Sequence, residues 1–168
     1  MIDVAGAGIG GGRIPAGKVD DLLSRSKALA AELGIEILLM DADVILGKVH
    51  IESALEHASR AFERGTNVAS TRMLEVMLYA SGERQLSSAI GKMGIKAATT
   101  RVAVVNSGQS RQAEVFESLA IERDDRVLEG DTSKLAAFRI PQEEIESVGK
   151  EKACDLVLER VARVDLLK

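Results

Sequence analysis

Aromatic residues are scarce in this chain of 168 residues, which has no tryptophan, three phenylalanines and one tyrosine. The hydrophobic core must therefore be built from aliphatic side chains. The single cysteine, Cys154, excludes a disulfide framework and a zinc site made of cysteines. No apolar run approaches the length of a membrane span, and no basic segment precedes an apolar N-terminal run. We therefore expect no membrane span and no signal peptide, and we expect a cytoplasmic location.

Positive charge is also limited, but it is unevenly distributed. The net charge of −4 at pH 7 disfavours a protein that coats nucleic acid without specificity. Residues 84–113, which we call the basic segment, nevertheless contain no aspartate or glutamate. The cations of this segment are Arg84, Lys92, Lys96, Arg101 and Arg111. The segment predicts either a local basic surface or an ordinary solvated face that happens to be basic.

Apolar periodicity predicts alternating helices and strands in a mixed α/β fold, organised as a single domain over residues 1–168. Helical spacing is found at residues 19–33, 41–65, 70–82, 84–94, 110–120, 141–149 and 150–168. The runs "IEILLM", "TTRVAVVNS" and "RVLEG" are typical of strands. We expect a short mixed sheet packed by several helices, with an amphipathic helix at the C-terminal end.

The glycine-rich N-terminal region invites a dinucleotide-binding interpretation. Gly6, Gly8 and Gly11 spell G-x-G-x-x-G after the strand-like start "MIDVAGAGI". That motif requires a helix beginning at its last glycine, so that backbone N–H groups meet the pyrophosphate. Helical patterning resumes only near Val19. We therefore predict a glycine-rich hairpin turn, with "RIP" as the returning strand.

Paired carboxylates and histidines are the remaining candidates for chemistry. Asp41 and Asp43 suit acid/base or metal work, but they also stand where a strand ends and a helix begins, which favours a capping role. His50 and His57 share a helical face but have no third ligand in the sequence. We therefore predict no catalytic residues, no metal and no cofactor, and we favour a binding function.

The middle of the chain resembles a known family. The order and spacing of several short elements carry this resemblance: A-D at 42–43, K-x-H at 48–50, Glu75, S-G-x-x-Q at 81–85 and A-I-x-x-x-G at 89–94. Together they resemble the kinase-binding regulatory subunit of the KEOPS tRNA-modification complex, the PRPK-binding family of eukaryotes, in its archaeal form. The resemblance covers residues 35–106 well and the flanking parts more loosely.

The resemblance implies a subunit without activity of its own. Such a subunit binds the kinase-like ATPase of the complex and recruits tRNA by its single-stranded 3′ CCA end. The complex transfers a threonylcarbamoyl group to the adenosine beside the anticodon. On this basis we predict a tRNA site formed by Lys48, His50, Arg72, Ser81, Gly82, Arg84, Gln85 and Lys92. With few aromatic side chains for base stacking, recognition would depend on a shaped pocket and hydrogen bonds.

A kinase interface needs an apolar surface, and the end of the short fourth helix offers one. We predict the contact at Ile90, Met93, Gly94, Ile95 and Leu158; ordinary core packing is the alternative for Met93 and Ile95. Two other functions remain open at this stage. One is a structural adaptor of the kinase without RNA binding, and the other is an enzyme for a small molecule, whose site is assembled from scattered residues.

Overall fold

A four-stranded sheet forms the centre of the molecule. The computed structural model describes residues 6–168. Within them the strands are β1 (Ala7–Arg13), β2 (Ile37–Asp41), β3 (Arg101–Ser107) and β4 (Glu122–Arg123). Their order is β2-β3-β1-β4, and each of the three pairings is antiparallel. The predicted mixed α/β class is confirmed, but the sheet itself is antiparallel rather than mixed in strand direction.

Helices account for most of the remaining chain. The α-helices of the described residues are α1 (Val19–Leu33), α2 (Lys48–Arg64), α3 (Arg72–Ser81), α4 (Leu86–Met93), α5 (Gln112–Ser118), α6 (Gln142–Val148) and α7 (Asp155–Leu167). Short 3₁₀ segments include Ala42–Val44, Asp125–Leu128 and Thr132–Phe138. The strand predicted at "RVLEG" is wrong, because most of it belongs to the second of these 3₁₀ segments. The strand in this part of the chain is β4, which ends just before that 3₁₀ segment.

Side-chain alternation in the strands creates a core on each face of the sheet. In β3, Val102 and Val104 pack in the cluster formed with α1 and α5, whereas Ala103 and Val105 pack in the cluster formed with α2, α3, α4 and α7. The sheet is therefore covered by helices on both faces. Among residues 6–168, none of the helices has the length and apolarity needed to cross a membrane.

The glycine run lies inside β1 and does not form a turn. A Cβ atom on Gly10 would stand 3.0 Å from the ring of Phe116, and one on Gly11 would stand 2.6 Å from Val127. The glycines are thus needed because other elements pack directly on the strand backbone. The predicted hairpin with "RIP" is wrong, since β1 pairs with β3 and β4. The beginning of the predicted N-terminal strand, residues 1–5, lies outside the described residues.

Candidate functional site

The C-terminal end of α3 brings several predicted site residues together. The last four carbonyl groups of a helix lack partners within it, and here each one accepts a hydrogen bond. Gly82 N–H donates to the Tyr79 carbonyl at 3.0 Å, and Ser81 Oγ donates to that of Leu78 at 2.7 Å. His50 Nε2 donates to the Ala80 carbonyl at 2.7 Å, and Lys92 Nζ donates to the Ser81 carbonyl at 2.8 Å. Gly82 ends the helix in the left-handed conformation, with φ +71°.

His50 is a structural residue at this junction. It is fully buried, and its Nδ1 accepts a hydrogen bond from the Leu46 N–H at 3.1 Å while its Nε2 binds the Ala80 carbonyl. Burial lowers the pKa of His50 to about 4, so the ring is neutral near pH 7 with its proton on Nε2. The side chain joins the start of α2 to the end of α3. It cannot reach RNA in this structure, which corrects its predicted role as a direct contact.

Lys92 connects this junction to a surface cleft. Its ammonium group forms an ion pair with Glu83 at 2.7 Å and lies 5.1 Å from the centre of the Phe138 ring. The same ring also contacts His50, whose ring centre is 5.6 Å away at an edge-to-face angle. Phe138 therefore separates the buried histidine from the lysine that lines the cleft.

The cleft has a volume of about 200 Å³ and lies between the end of α3, α4, the segment after Thr132–Phe138 and α7. Its cationic lining residues are Lys92, Arg139, Arg160 and Arg163, and its acidic one is Glu83. Ser81, Gly82 and Phe138 also line it. A second depression, which shares Glu83, Lys92 and Arg139, continues the cleft along α4. We call the whole feature the basic cleft. It offers a concentrated positive field to an anionic ligand.

The family of the chain follows from comparison with known proteins. Residues 19–161 match the family model described as "Kinase binding protein CGI-121". The chain belongs to the CGI-121 family. A relative named "Regulatory protein Cgi121", from Methanocaldococcus jannaschii, is 28% identical over 136 residues, which are 81% of this chain and 88% of the relative. The resemblance to a family of kinase-binding subunits is therefore confirmed, and the match to the CGI-121 family includes every predicted site residue.

Two predicted tRNA contacts of this CGI-121 family member lie elsewhere. Arg72 is the first residue of α3 and Ser81 the last, so about 14 Å of helix separates them. Arg72 instead stacks over the Phe62 ring at 5.4 Å. Lys48 is exposed at the start of α2, where it pairs with Glu52 at 3.8 Å. Neither residue lines the basic cleft.

Arg84 and Gln85 remain near the cleft by chain position. Both are exposed in the short connection between Glu83, which lines the cleft, and α4. Gln85 is the N-cap of α4, but its side chain makes no capping hydrogen bond. The first N–H groups of α4 have no partner within the helix, and they lie beside Arg84, which makes no ion pair within residues 6–168.

The basic segment does not form one surface. Arg101 pairs with Asp43, and Arg111 pairs with Glu114 at 2.8 Å, both outside the cleft. Lys96 donates to the Gly94 carbonyl at 3.1 Å. Of the five cations in this segment, the cleft contains Lys92 alone. The arginines that complete it, Arg139, Arg160 and Arg163, come from distant parts of the sequence and were missed, because no local pattern links them.

The predicted kinase-docking patch is mostly core. Met93 is fully buried and Ile95 is 9% exposed, in the two different hydrophobic clusters. Gly94 forms an isolated antiparallel bridge with Met40, and a Cβ on it would meet the carbonyl of Ile90 at 2.6 Å. Placing Met93 and Ile95 at an accessible interface is therefore wrong. Ile90, which is 47% exposed, and the half-buried Leu158 remain available.

The residues considered for catalysis have structural roles. Asp41 Oδ1 accepts a hydrogen bond from the Asp43 N–H at 2.9 Å and caps the 3₁₀ segment that follows β2. This confirms the capping interpretation for Asp41, whereas Asp43 lies inside that segment and pairs with Arg101. His57 packs against Tyr79, and its Nδ1 lies 3.0 Å from Asp165. Within residues 6–168, no cluster of three or more potential metal ligands is present.

Proposed function

We propose that this chain is a non-catalytic regulatory subunit of the KEOPS complex, which binds the kinase-like ATPase and holds the single-stranded 3′ CCA end of tRNA in the basic cleft. In this role it supports threonylcarbamoylation of the adenosine beside the anticodon. Membership of a kinase-binding family supports the first contact. The second rests on the residues that line the cleft.

The observation that carries the RNA proposal is the convergence of four cations on a narrow cleft beside Ser81 and Gly82. Lysine and arginine side chains neutralise backbone phosphates, and the N–H groups at the start of α4, which have no partner within the helix, are further candidate donors. Phe138 is the aromatic residue of the cleft and is 6% exposed. Hydrogen bonding and shape therefore have to replace extensive base stacking, which suits one fixed short end.

Trimming the RNA tests the proposal directly. We expect the chain to bind intact tRNA and to lose most of this binding when the terminal CCA is removed. Arg163→Glu should weaken binding and reduce the slope of log affinity against log salt by about 0.7 for each lost phosphate contact. Arg111→Glu, a charge reversal in the basic segment but outside the cleft, should leave binding unchanged.

Other outcomes would contradict the proposal in different ways. Equal affinity for intact and trimmed tRNA would exclude recognition of the 3′ end. Equal losses for the Arg163 and Arg111 variants would place the RNA outside the cleft. No measurable binding of either RNA would favour the alternative, a structural adaptor of the kinase.

The kinase contact is proposed to include Ile90 on α4 and Leu158 on α7. Because Ile90 is nearly half exposed, Ile90→Glu should leave the fold intact and weaken binding to the kinase. The control is Val49→Glu, at a valine that is 52% exposed on α2. Undiminished kinase binding by the Ile90 variant in a pull-down assay would show that the interface does not include this part of α4.

A further inference from the structure

The cations of the basic cleft are not equally available to a ligand. Lys92 is held by Glu83 at 2.7 Å and is 17% exposed. Arg160 makes two hydrogen bonds, at 3.1 and 3.0 Å, to the carboxylate of Glu144 and is 19% exposed. Arg139 and Arg163, by contrast, make no ion pair with any residue between 6 and 168 of the structure. The cleft thus combines two internally neutralised cations with two free ones.

Both carboxylates are placed to compete with a bound anion. Glu83 itself lines the cleft, so its charge faces the space that a phosphate would occupy. Glu144 does not line the cleft but binds Arg160, which does. Its hydrogen bonds to Arg160 hold the pKa of the carboxyl below its usual range, with a further contribution from the nearby charge of Arg163. Glu144 is therefore ionised at neutral pH. A phosphate that approaches Lys92 or Arg160 has to take over a cation already bound to a carboxylate.

We infer that Glu83 and Glu144 are specificity-determining residues, which make the cleft select a nucleotide chain with several phosphates over an anion with a single phosphate. This inference rests on the proposed function. A single phosphate gains one or two contacts and faces the repulsion of Glu83. A chain end reaches the free arginines first and gains enough contacts to displace the carboxylates from the other two cations. Specificity here comes from repulsion of the wrong ligand as well as attraction of the right one.

Glutamine substitutions test this effect, because they keep the size of the side chain and one acceptor oxygen and remove its charge. We would titrate the parent, Glu83→Gln, Glu144→Gln and the double variant with adenosine monophosphate and with a short single-stranded RNA ending in CCA. Each single variant should bind the mononucleotide about two- to fivefold more tightly. The RNA should gain less, so the preference for RNA over mononucleotide falls, and its salt slope should stay unchanged, because the RNA already displaces both carboxylates in the parent.

The control is Glu114→Gln, which removes the carboxylate of an ion pair of similar length but greater exposure, that with Arg111 at 2.8 Å, outside the cleft. It should change neither affinity. Weaker binding of both ligands by the Glu83 and Glu144 variants would overturn the inference, because the carboxylates would then act by positioning Lys92 and Arg160. Unchanged affinities would overturn it as well, since no competition would exist.

The two proposals fail in different ways. If the parent binds the CCA-ended RNA and the glutamine variants show no loss of preference for it, the inference fails and the RNA-binding function stands. If the parent binds neither the RNA nor intact tRNA, the RNA-binding function fails, and the selectivity inferred from it is refuted with it. Thermal melting of each variant beside the parent confirms that all compared proteins are folded.

Discussion

The two ends of helix α3 differ in the surroundings of their charged side chains. At the N-terminal end, the fully buried carboxylate of Glu75 accepts hydrogen bonds from the backbone N–H groups of Val68 at 3.0 Å and Ala69 at 2.7 Å, and it pairs with Lys168. These partners are all internal. At the C-terminal end, Lys92 binds a terminal carbonyl and also lines the basic cleft. The charged group at the first end has only internal partners, whereas the one at the second end also lines the cleft.

Because of this difference, we expect substitutions at one end of α3 to change the stability of the fold and substitutions at the other end to change ligand affinity. A group that only satisfies buried partners should affect folding when it is changed, whereas a group at the cleft should affect ligand affinity. The N-terminal end lies about 14 Å of helix away from Ser81 and does not line the cleft. Substitutions at the two ends of α3 should therefore give opposite patterns of effect.

The largest expected effect is that of Glu75→Ala. It leaves two buried N–H groups without an acceptor and removes the partner of Lys168, so we expect a loss of about 4 kcal/mol in the free energy of unfolding. Urea denaturation of the variant and the parent measures it.

Glu75→Gln is the matched control, because its amide oxygen can still accept the two N–H hydrogen bonds. Its loss should be clearly smaller than that of Glu75→Ala. Wherever enough folded protein remains, RNA affinity should be unchanged. A reduced RNA affinity in fully folded Glu75→Gln protein would contradict the expectation that the N-terminal end of α3 affects stability but not RNA binding.

Sequence reasoning predicted much of this junction but not its geometry. The S-G pair, His50 and Lys92 lie together, because each completes the end of the same helix, whereas Lys48 of the K-x-H element does not. Their burial could not be read from the sequence: His50 points inward and Lys48, two residues earlier, points to solvent. Local spacing gives the helical face but not what packs against that face.

Contacts between distant segments explain the other errors. Arg139, Arg160 and Arg163 come together with Lys92 only in the folded chain, so a search for local basic segments could find Lys92 but not the three arginines. The glycines of β1 look like a turn because the sequence does not show that Phe116 and Val127 pack on the strand. Long aliphatic runs such as β3, by contrast, were predicted correctly, since their pattern is strong.

The next largest effect is a pH dependence that comes from His50. Its pKa is lowered by burial from 6.5 to about 4 in the folded protein, whereas the unfolded chain has the ordinary value. Between pH 6.5 and 4 the unfolded state therefore binds more protons, and stability falls as the pH is lowered through this window. The full loss contributed by this group is about 3 kcal/mol, and the decline should level off below pH 4.

A comparison of stability–pH profiles isolates this histidine from the carboxylates that titrate at the acid end of the range. His50→Asn should be less stable than the parent at pH 7 and should show a flatter profile between pH 6.5 and 4.5. His57→Asn changes the other histidine, which is partly exposed, and should retain the slope that His50 causes. Identical profiles for the parent and His50→Asn would show that the ring is not held neutral by burial at the end of α3.

The smallest expected effect concerns Gly82, where α3 ends against α7. Alanine there has to adopt φ +71°, and its Cβ would lie 3.3 Å from the Cβ of Arg160. Gly65→Ala is the matched control, because Gly65 ends α2 at φ +69° with no atom within 4 Å of the added carbon. We expect a loss of about 1 kcal/mol in the free energy of unfolding for Gly65→Ala, from backbone strain alone, and of about 1.5 kcal/mol for Gly82→Ala.

Only Gly82→Ala should also weaken RNA binding, because the displaced Arg160 belongs to the cleft. Equal effects of the two substitutions on stability and on RNA affinity would show that α7 can move away from α3 at no cost in free energy. The close approach of the two helices would then not position the cations of the cleft.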